Sequence, residues 1–156
     1  MLAATGLSAC GFKLRGAANL AFDTLYAGFA ETSSLGQELR RSLESSGVRV
    51  ITDNRQIASA QVVLDVLQDA REKIVVGVNA TGLVREFQLR VRFKFRLRDQ
   101  AGNELIPETE LTQQRDFSFN ESGALAKESE EALTYRSMQS DIVQQTLRRL
   151  SSVKTL

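Results

Sequence analysis

The chain has 156 residues, of which 42% are hydrophobic and 25% are charged, so it suits one soluble domain with a sizeable core. Its 20 basic and 19 acidic side chains give a net charge of +1, which excludes a globally basic binder of polyanions. Histidine is absent and cysteine occurs once, so the usual general base, the commonest metal ligand and any internal disulfide are missing. We therefore expect no enzyme, no cofactor and no metal site.

The amino end carries a short lipoprotein-like motif. Residues 7–10 read Leu-Ser-Ala-Cys, which resembles a lipobox, and Gly11 rather than Asp follows the cysteine, which resembles the outer-membrane sorting pattern. Only nine residues precede Cys10 and none is basic, so either the sequence is truncated at its start or its start codon is misplaced. A free or buried cysteine behind a frayed end is the alternative. We predict a residual signal segment at 1–9 and a lipidated linker at 10–21, tethered by acyl chains on Cys10.

The next segments predict a strand–helix–strand unit. Phe22–Phe29 reads as a strand, Thr32–Ser46 as a helix with a leucine every fourth position, and Val48–Ile51 as a second strand. Thr32, Ser33 or Ser34 can cap the helix, and Ser34 with Gln37 forms a possible capping box. The short return favours parallel pairing of the two strands through a right-handed crossover.

Longer strands dominate the middle of the chain. Residues 52–60 predict a loop, and 61–78 predict a strand with a bulge at Gly77. Residues 87–98 alternate strictly between apolar and polar side chains, which predicts a long strand. After a hairpin loop, residues 104–119 predict one more strand or two, and the only proline, Pro107, indicates an edge or a break there.

The carboxy-terminal segment, residues 123–150, predicts a long helix. Its apolar stripe consists of Leu125, Ala132, Tyr135, Ile142, Val143, Leu147 and Leu150. The whole pattern predicts an α+β fold in the order β-α-β-β-β(-β)-α: a two-layer sandwich with a mixed four- to five-stranded sheet, two helices packed on one face, and a polar open face. We expect a single domain over residues 22–150 and a short tail over residues 151–156.

The long strand carries a row of cations on one side, which we call the basic row: Arg90, Arg92, Lys94, Arg96 and Arg98. It spans ~27 Å, and cations so close together need anions. Internal anions are available in the flanking strands: Asp65, Asp69, Glu104, Glu108 and Glu110. Phosphate is the external possibility, since guanidinium groups match it in a bidentate way. An alternative function is a nucleic-acid-binding α+β module using strand 88–98, although no GxxG clamp or exposed aromatic pair interrupts the row.

Two short motifs carry a family resemblance. The opening Cys-Gly-Phe-Lys-Leu-Arg at residues 10–15 resembles the start of mature lipoproteins of the LptE family, also called RlpB. The run Ala-Leu-Ala-Lys-x-x-Glu at residues 124–130 resembles the start of that family's last helix. The order of strands and helices is also similar, and the resemblance extends over residues 10–150.

The resemblance implies a role in the outer membrane of a Gram-negative bacterium. Members of the family partner the β-barrel LptD, sit in its lumen as a plug and help to place lipopolysaccharide in the outer leaflet, which implies a lipid-anchored position on the periplasmic side and no nucleic-acid partner. Basic residues near one sheet edge bind lipopolysaccharide in the family, and Lys127 is the matching position. The hairpin 79–83 matches a family turn but holds no cation, and Arg85 is the nearest one. The expected lipopolysaccharide contacts are Lys127, Arg85, Arg90, Arg92, Lys94 and Arg96.

Overall fold

The computed structural model describes residues 19–120 and 123–154, so the lipobox and Cys10 lie outside the described residues. The elements in chain order are β1 (Thr24–Ala27), α1 (Ser34–Ser45), β2 (Arg49–Ile51), a 3₁₀ helix (Asn54–Ser59), β3 (Val62–Val78), β4 (Val84–Asp99), β5 (Glu104–Ser118) and α2 (Ala124–Leu150). The five strands form one sheet in the order β2-β1-β3-β4-β5. The predicted α+β class and element order are confirmed, and the segment after the second hairpin is one strand.

The sheet is mixed because β1 runs parallel to both of its neighbours. It pairs with β2 over Thr24–Tyr26 and with β3 over Leu25–Ala27. The parallel pairing predicted for the strand–helix–strand unit is therefore confirmed. Strands β3, β4 and β5 form an antiparallel meander. Pro107 lies on the edge strand β5, at the point where its register with β4 shifts, as its missing N–H requires.

Alternation along β4 separates a core face from an open face. The core face carries six apolar side chains, Phe87, Leu89, Val91, Phe93, Phe95 and Leu97, and all but Phe87 are fully buried. The ring of Phe93 stacks on Phe95 and on Phe29 at centroid distances of 5.2 and 5.6 Å. Leucines of α1 and apolar residues of α2 join the same core, so both helices pack on one face of the sheet, as predicted.

Helix α1 begins with a different cap from the predicted capping box. The side chain of Ser33 accepts a hydrogen bond from the Gly36 amide at 2.8 Å, while Ser34 already lies inside the helix. The box of Ser34 and Gln37 is therefore wrong, and the Gln37 amide donates to the Glu31 carbonyl instead. With Ser33 as the cap, the third helical position is a glycine, which has no side chain to return the bond.

The apolar stripe of α2 is correct in its carboxy-terminal half and wrong at its start. Ile142, Val143 and Leu150 are fully buried. Leu125 is 82% exposed, because the first turn of α2 extends past the described core. Met138, which the stripe omitted, is fully buried.

Strand β3 contains two bulges, and the one that sequence did not predict changes the side on which later residues lie. The register with β4 shifts at Gly77, as predicted, and also at Leu67. Beyond Leu67 the alternation is inverted, so Asp69 pairs with Phe93 on the helix side of the sheet. Asp69 accepts a hydrogen bond from the Ser33 hydroxyl at 2.5 Å, and its predicted place beside the basic row is wrong.

The segment between β2 and β3 is more ordered than the predicted loop. Residues Asn54–Ser59 form a 3₁₀ helix, and the Asp53 side chain caps it by accepting from the Arg55 amide at 3.0 Å. The Gln100 amide donates to the carbonyls of Ile57 and Ala60 at 2.7 and 2.5 Å. These bonds hold the 3₁₀ helix against the β4–β5 hairpin.

Candidate functional site

The first half of the basic row shares one carboxylate from β3. Arg92 donates from Nη2 and Nε to Glu72 Oε1 at 2.5 and 3.1 Å, and Arg90 Nη1 lies 3.6 Å from Glu72 Oε2. All three side chains are only 28–34% exposed. Glu72 escaped the sequence-based set of anions because the bulge at Leu67 is what moves it onto the open face.

The last two cations of the row share Asp65. The guanidinium groups of Arg96 and Arg98 lie 2.8 and 3.0 Å from Asp65 Oδ2. Partial burial alone raises the pKa of Asp65, but the hydrogen bonds from the two arginines and their charges outweigh it, so this pKa lies below its ordinary value. The hydrogen bond and charge of Asp65 in turn raise the pKa of Arg96.

Lys94, in the middle of the row, turns to the edge strand. Its Nζ lies 3.0 Å from Glu108 and 3.9 Å from Glu110 on β5. All five cations are thus paired with four carboxylates of the two flanking strands, which we call the ion-pair ladder. A row neutralised in this way gives no support to the nucleic-acid alternative for strand 88–98, because its charge is already compensated by the protein.

Lys127 lies at the start of α2 and is largely enclosed. Its Nζ is 2.8 Å from Glu130 Oε2, 3.3 Å from the Ser118 hydroxyl and 5.1 Å from the ring centre of Phe117, and the side chain is 19% exposed. Helical spacing would allow Lys127 to pair with either Glu130 or Glu131. It pairs with Glu130, while Glu131 pairs with Lys73 at 2.6 Å. Lys127 therefore fixes the start of α2 on the end of β5.

Arg85 lies at the start of β4, at the end of the sheet where α2 begins. Its carbonyl accepts a hydrogen bond from the Phe119 amide at 2.8 Å, and Phe119 is two residues from Phe117 under Lys127. Arg85 is exposed and makes no ion pair with any residue in the described ranges. It is the unpaired residue of a register shift between β3 and β4, because Gly77 pairs with Glu86 and Val78 pairs with Val84.

A polar cluster that sequence reasoning did not find joins β3 to both helices. Arg71 donates to the Ser34 hydroxyl at 2.5 Å and to the Gln139 carbonyl oxygen, and its guanidinium lies 5.6 Å from the ring centre of Tyr135. Tyr135 donates to the Glu72 carbonyl at 2.6 Å. Burial, and then the charge of Glu131, raises the pKa of Tyr135, so the phenol stays a donor. The partners are up to 105 residues apart in sequence, so no local pattern marks them.

Two further features of the described residues bear on the class of site. Across residues 19–120 and 123–154, no group of three or more acidic, cysteine or histidine side chains is arranged to hold a metal ion. Within the same ranges, none of the helices combines the length and apolar character that crossing a membrane requires.

Comparisons with known proteins agree with this architecture. A search of curated proteins returned no significant match. The chain is similar to the solution NMR structure of an uncharacterized lipoprotein B from Nitrosomonas europaea, with 32% identity, a TM-score of 0.74 and 91% of each chain covered. A minor lipoprotein from Acinetobacter baumannii shares 24% identity at a TM-score of 0.65, over 86% of this chain and 94% of that one. The rare lipoprotein B of Shewanella oneidensis shares 22% identity at a TM-score of 0.66, over 83% and 94%.

The last two similarities concern the fold alone, and they agree with a five-stranded sheet covered by two helices. The sequence itself matches the family model described as LptE, lipopolysaccharide-assembly, over residues 22–150. That match spans well over half of the chain and includes the motif at residues 124–130. The chain therefore belongs to the LptE family, whose members are non-enzymatic lipoproteins of lipopolysaccharide assembly associated with the outer membrane.

Proposed function

We propose that this protein is an outer-membrane lipoprotein that partners the LptD β-barrel, plugs its lumen and binds lipopolysaccharide during assembly at the cell surface. The family match over residues 22–150 is the observation that carries the proposal. The geometry supports a holding role, because the described surface offers paired charges and a rigid sheet. We propose no catalytic role and no cofactor.

The ion-pair ladder suits a plug. The interior of a large membrane barrel is polar, so a domain within it needs a charged, well-satisfied outside. On the open face, carboxylates and basic groups alternate across three strands and largely neutralise one another. Such a face presents hydrogen-bonding groups to a polar wall with only a small net charge, since five cations face four carboxylates.

Arg85 is the cation that we propose contacts lipopolysaccharide phosphates first, followed by Lys127, whose carboxylate partner in the described ranges, Glu130, is 56% exposed and holds it weakly. They lie at the same end of the sheet, and Arg85 has no carboxylate partner among the described residues. In the basic row, Arg90, Arg92, Lys94 and Arg96 would have to exchange a protein carboxylate for a phosphate. We therefore propose these four as weaker contacts.

Cys10 is the proposed anchor. Acyl chains on this residue would hold the domain at the periplasmic side of the outer membrane, since two or more chains give stable attachment. The first described residues, Asn19–Ala21, line one small cavity with Ser151, Val153 and Lys154, so the tether would leave the domain beside the end of α2. Cys10→Ala is expected to move the protein from the membrane fraction to the periplasm.

The decisive experiment is affinity purification of the full chain from outer membranes, with identification of the co-purified protein by mass spectrometry. A large β-barrel recovered in near-equal amount supports the proposal. Loss of that barrel's assembly when the gene is deleted supports it further. A barrel that assembles and exports lipopolysaccharide normally in the deletion strain would overturn it.

A further inference from the structure

Two segments that meet at one end of the domain contain basic side chains and no acidic ones. They are residues 10–22, which follow Cys10, and residues 142–154, at the end of α2. We call their five basic residues the tether-end cations: Lys13, Arg15, Arg148, Arg149 and Lys154. Because the whole chain has a net charge of +1, its other residues together carry −4. This division of charge between a basic end and an acidic remainder indicates a polyanionic partner for the basic end.

The structure brings the described parts of the two segments together. Asn19–Ala21 line one cavity of about 510 Å³ with Ser151, Val153 and Lys154. Leu20 and Val153 both pack against the hydrophobic core. The last turn of α2 is therefore fixed beside the point at which the chain from Cys10 enters the domain.

Arg148 and Arg149 point away from the core. Leu147 and Leu150, which flank them in sequence, are buried, and a helix turns by one residue in every 3.6, so the two arginines lie on the opposite side of α2. Both arginines and Lys154 are exposed. Within residues 19–120 and 123–154, none of these three side chains forms an ion pair.

Capping of α2 does not require these cations. The Ser151 hydroxyl donates to the Arg148 carbonyl at 2.9 Å, and the Ser152 hydroxyl donates to the Arg149 carbonyl at 2.6 Å. The helix dipole favours cations in the last turn, but it does not account for Lys154 beyond the helix or for the basic residues before Asn19. Each exposed cation of this end can therefore pair with an anion outside the described residues.

The acidic side chains at the same end lie mainly in the sheet layer. Asp23 precedes β1, Asp99 ends β4 and Glu104 begins β5. In the helix layer, Glu44 of α1 is paired with Arg40 at 2.8 Å. The basic surface of this end thus belongs to the helix layer, on the side of α2.

We propose that the tether-end cations dock this end of the domain on a bilayer surface of anionic phospholipids, beside the acyl chains on Cys10. This inference rests on the proposed function, which supplies the anchor, and adds to it a second attachment and a fixed orientation. Nine residues separate Cys10 from Asn19, so the tether keeps the domain within about 30 Å of the bilayer. Basic side chains within a Debye length of the surface, about 8 Å at physiological salt, are attracted to its phosphates, whereas the acidic remainder is repelled.

The test measures binding of the full chain to vesicles by co-sedimentation, with Cys10→Ala in every protein so that no acyl chain contributes. The probes are vesicles of phosphatidylcholine alone and of phosphatidylcholine with phosphatidylglycerol, each at low and at physiological salt. The variant adds Arg148→Gln and Arg149→Gln. The matched control adds Arg115→Gln and Arg136→Gln, which remove the same charge from β5 and from the middle of α2.

The parent chain should bind the vesicles that contain phosphatidylglycerol, and its binding should weaken as salt rises. Each basic residue near an anionic surface changes binding about fivefold, so the variant should bind at least tenfold more weakly, with unchanged circular dichroism. The control should stay within about twofold of the parent. Lys154→Gln alone, which lies beyond α2 and leaves the helix intact, should weaken binding about threefold to fivefold.

Equal binding of the parent to neutral vesicles, or an equal loss in the variant and the control, would overturn the inference. So would a variant that keeps its vesicle binding but, in acylated form, no longer co-purifies a barrel, because the cations would then contact a protein. The first two results leave the proposed function intact. Absence of a barrel from the purification of the acylated wild type would count against the proposed function, whatever the vesicles show.

Discussion

The pair between Glu72 and Arg92 shows what the ion-pair ladder contributes to stability and whether its cations are free for a ligand. The two side chains meet at 2.5 Å and are 28% and 34% exposed. Fully exposed pairs contribute about 0.2–1 kcal/mol, while breaking a fully buried pair costs about 3–5 kcal/mol. Because both side chains are partly exposed, this pair resembles the exposed pairs more than the buried ones, and we expect a coupling free energy of roughly 1 kcal/mol.

A double-mutant cycle with Glu72→Gln, Arg92→Gln and both changes measures this coupling by urea unfolding. Glu72→Gln should lose about 1–1.5 kcal/mol, since it leaves Arg92 partly buried without its counter-ion, and Arg92→Gln should lose less, since Glu72 keeps Arg90 at 3.6 Å. The double variant should lose less than the sum of the two. The matched control is Arg40 with Glu44, an exposed i,i+4 pair at 2.8 Å on α1, for which about 0.3–0.5 kcal/mol is expected.

The same variants give a second readout, the affinity for lipopolysaccharide. Because Glu72 already holds the Arg92 guanidinium, Arg92→Gln should change that affinity by no more than about twofold. A coupling smaller than that of the control pair, together with a clear loss of lipopolysaccharide affinity, would refute this reasoning. It would show that the basic row is held for an external anion.

Three further changes test other parts of the structure. Lys127→Glu should weaken lipopolysaccharide binding about tenfold in equilibrium titration with unchanged circular dichroism, whereas Lys154→Glu, at the other end of α2, should not. Gly36→Ala should lower the unfolding free energy by about 1–3 kcal/mol in urea, because a Cβ there would lie 2.6 Å from the Phe29 ring; a gain of about 1 kcal/mol, as helix propensity alone predicts, would contradict this. The folded-state pKa of Asp65 lies below its unfolded value, so its contribution is present above about pH 4 and is lost as pH falls through the folded pKa. Asp65→Asn should therefore flatten the fall in stability between about pH 5 and 2, and a parallel fall in both proteins would argue against it.

Strand β4 was predictable because its alternation is strict and its register carries no bulge of its own over the core. Because side chains of a strand alternate between its two faces, the sequence alone showed which residues of β4 face the core. Strand β3 could be predicted as a strand, but the side of the sheet on which each of its residues lies could not. A bulge residue such as Leu67 leaves no mark in the amino-acid composition, yet it moves every later side chain of the strand to the opposite face of the sheet. That single inversion is why Asp69 was placed beside the basic row and Glu72 was not.

The candidate site could be predicted only where it lies within one element. The basic row is visible as a local pattern, and the pairing of Lys127 with Glu130 follows from helical spacing. The cluster around Arg71 depends on how α1 and α2 meet over β3, which brings Ser34 and Gln139 within hydrogen-bonding distance. No local periodicity encodes a contact of that kind.

The fold separates attachment from recognition along the length of β3. The first described residues and the end of α2 lie together beside the start of β3, since the Gln61 amide donates to the Thr24 carbonyl and Leu20 and Val153 pack on the same core. The β3–β4 hairpin lies at the other end of this 17-residue strand, about 50 Å away if the strand is extended. A tether at Cys10 would thus leave Arg85, beside that hairpin, free to contact a ligand, because the ion-pair ladder stiffens the sheet between the two ends. Removing the ladder should make the sheet more flexible without changing either end, whereas substitution of Arg85 should alter recognition and leave attachment unchanged.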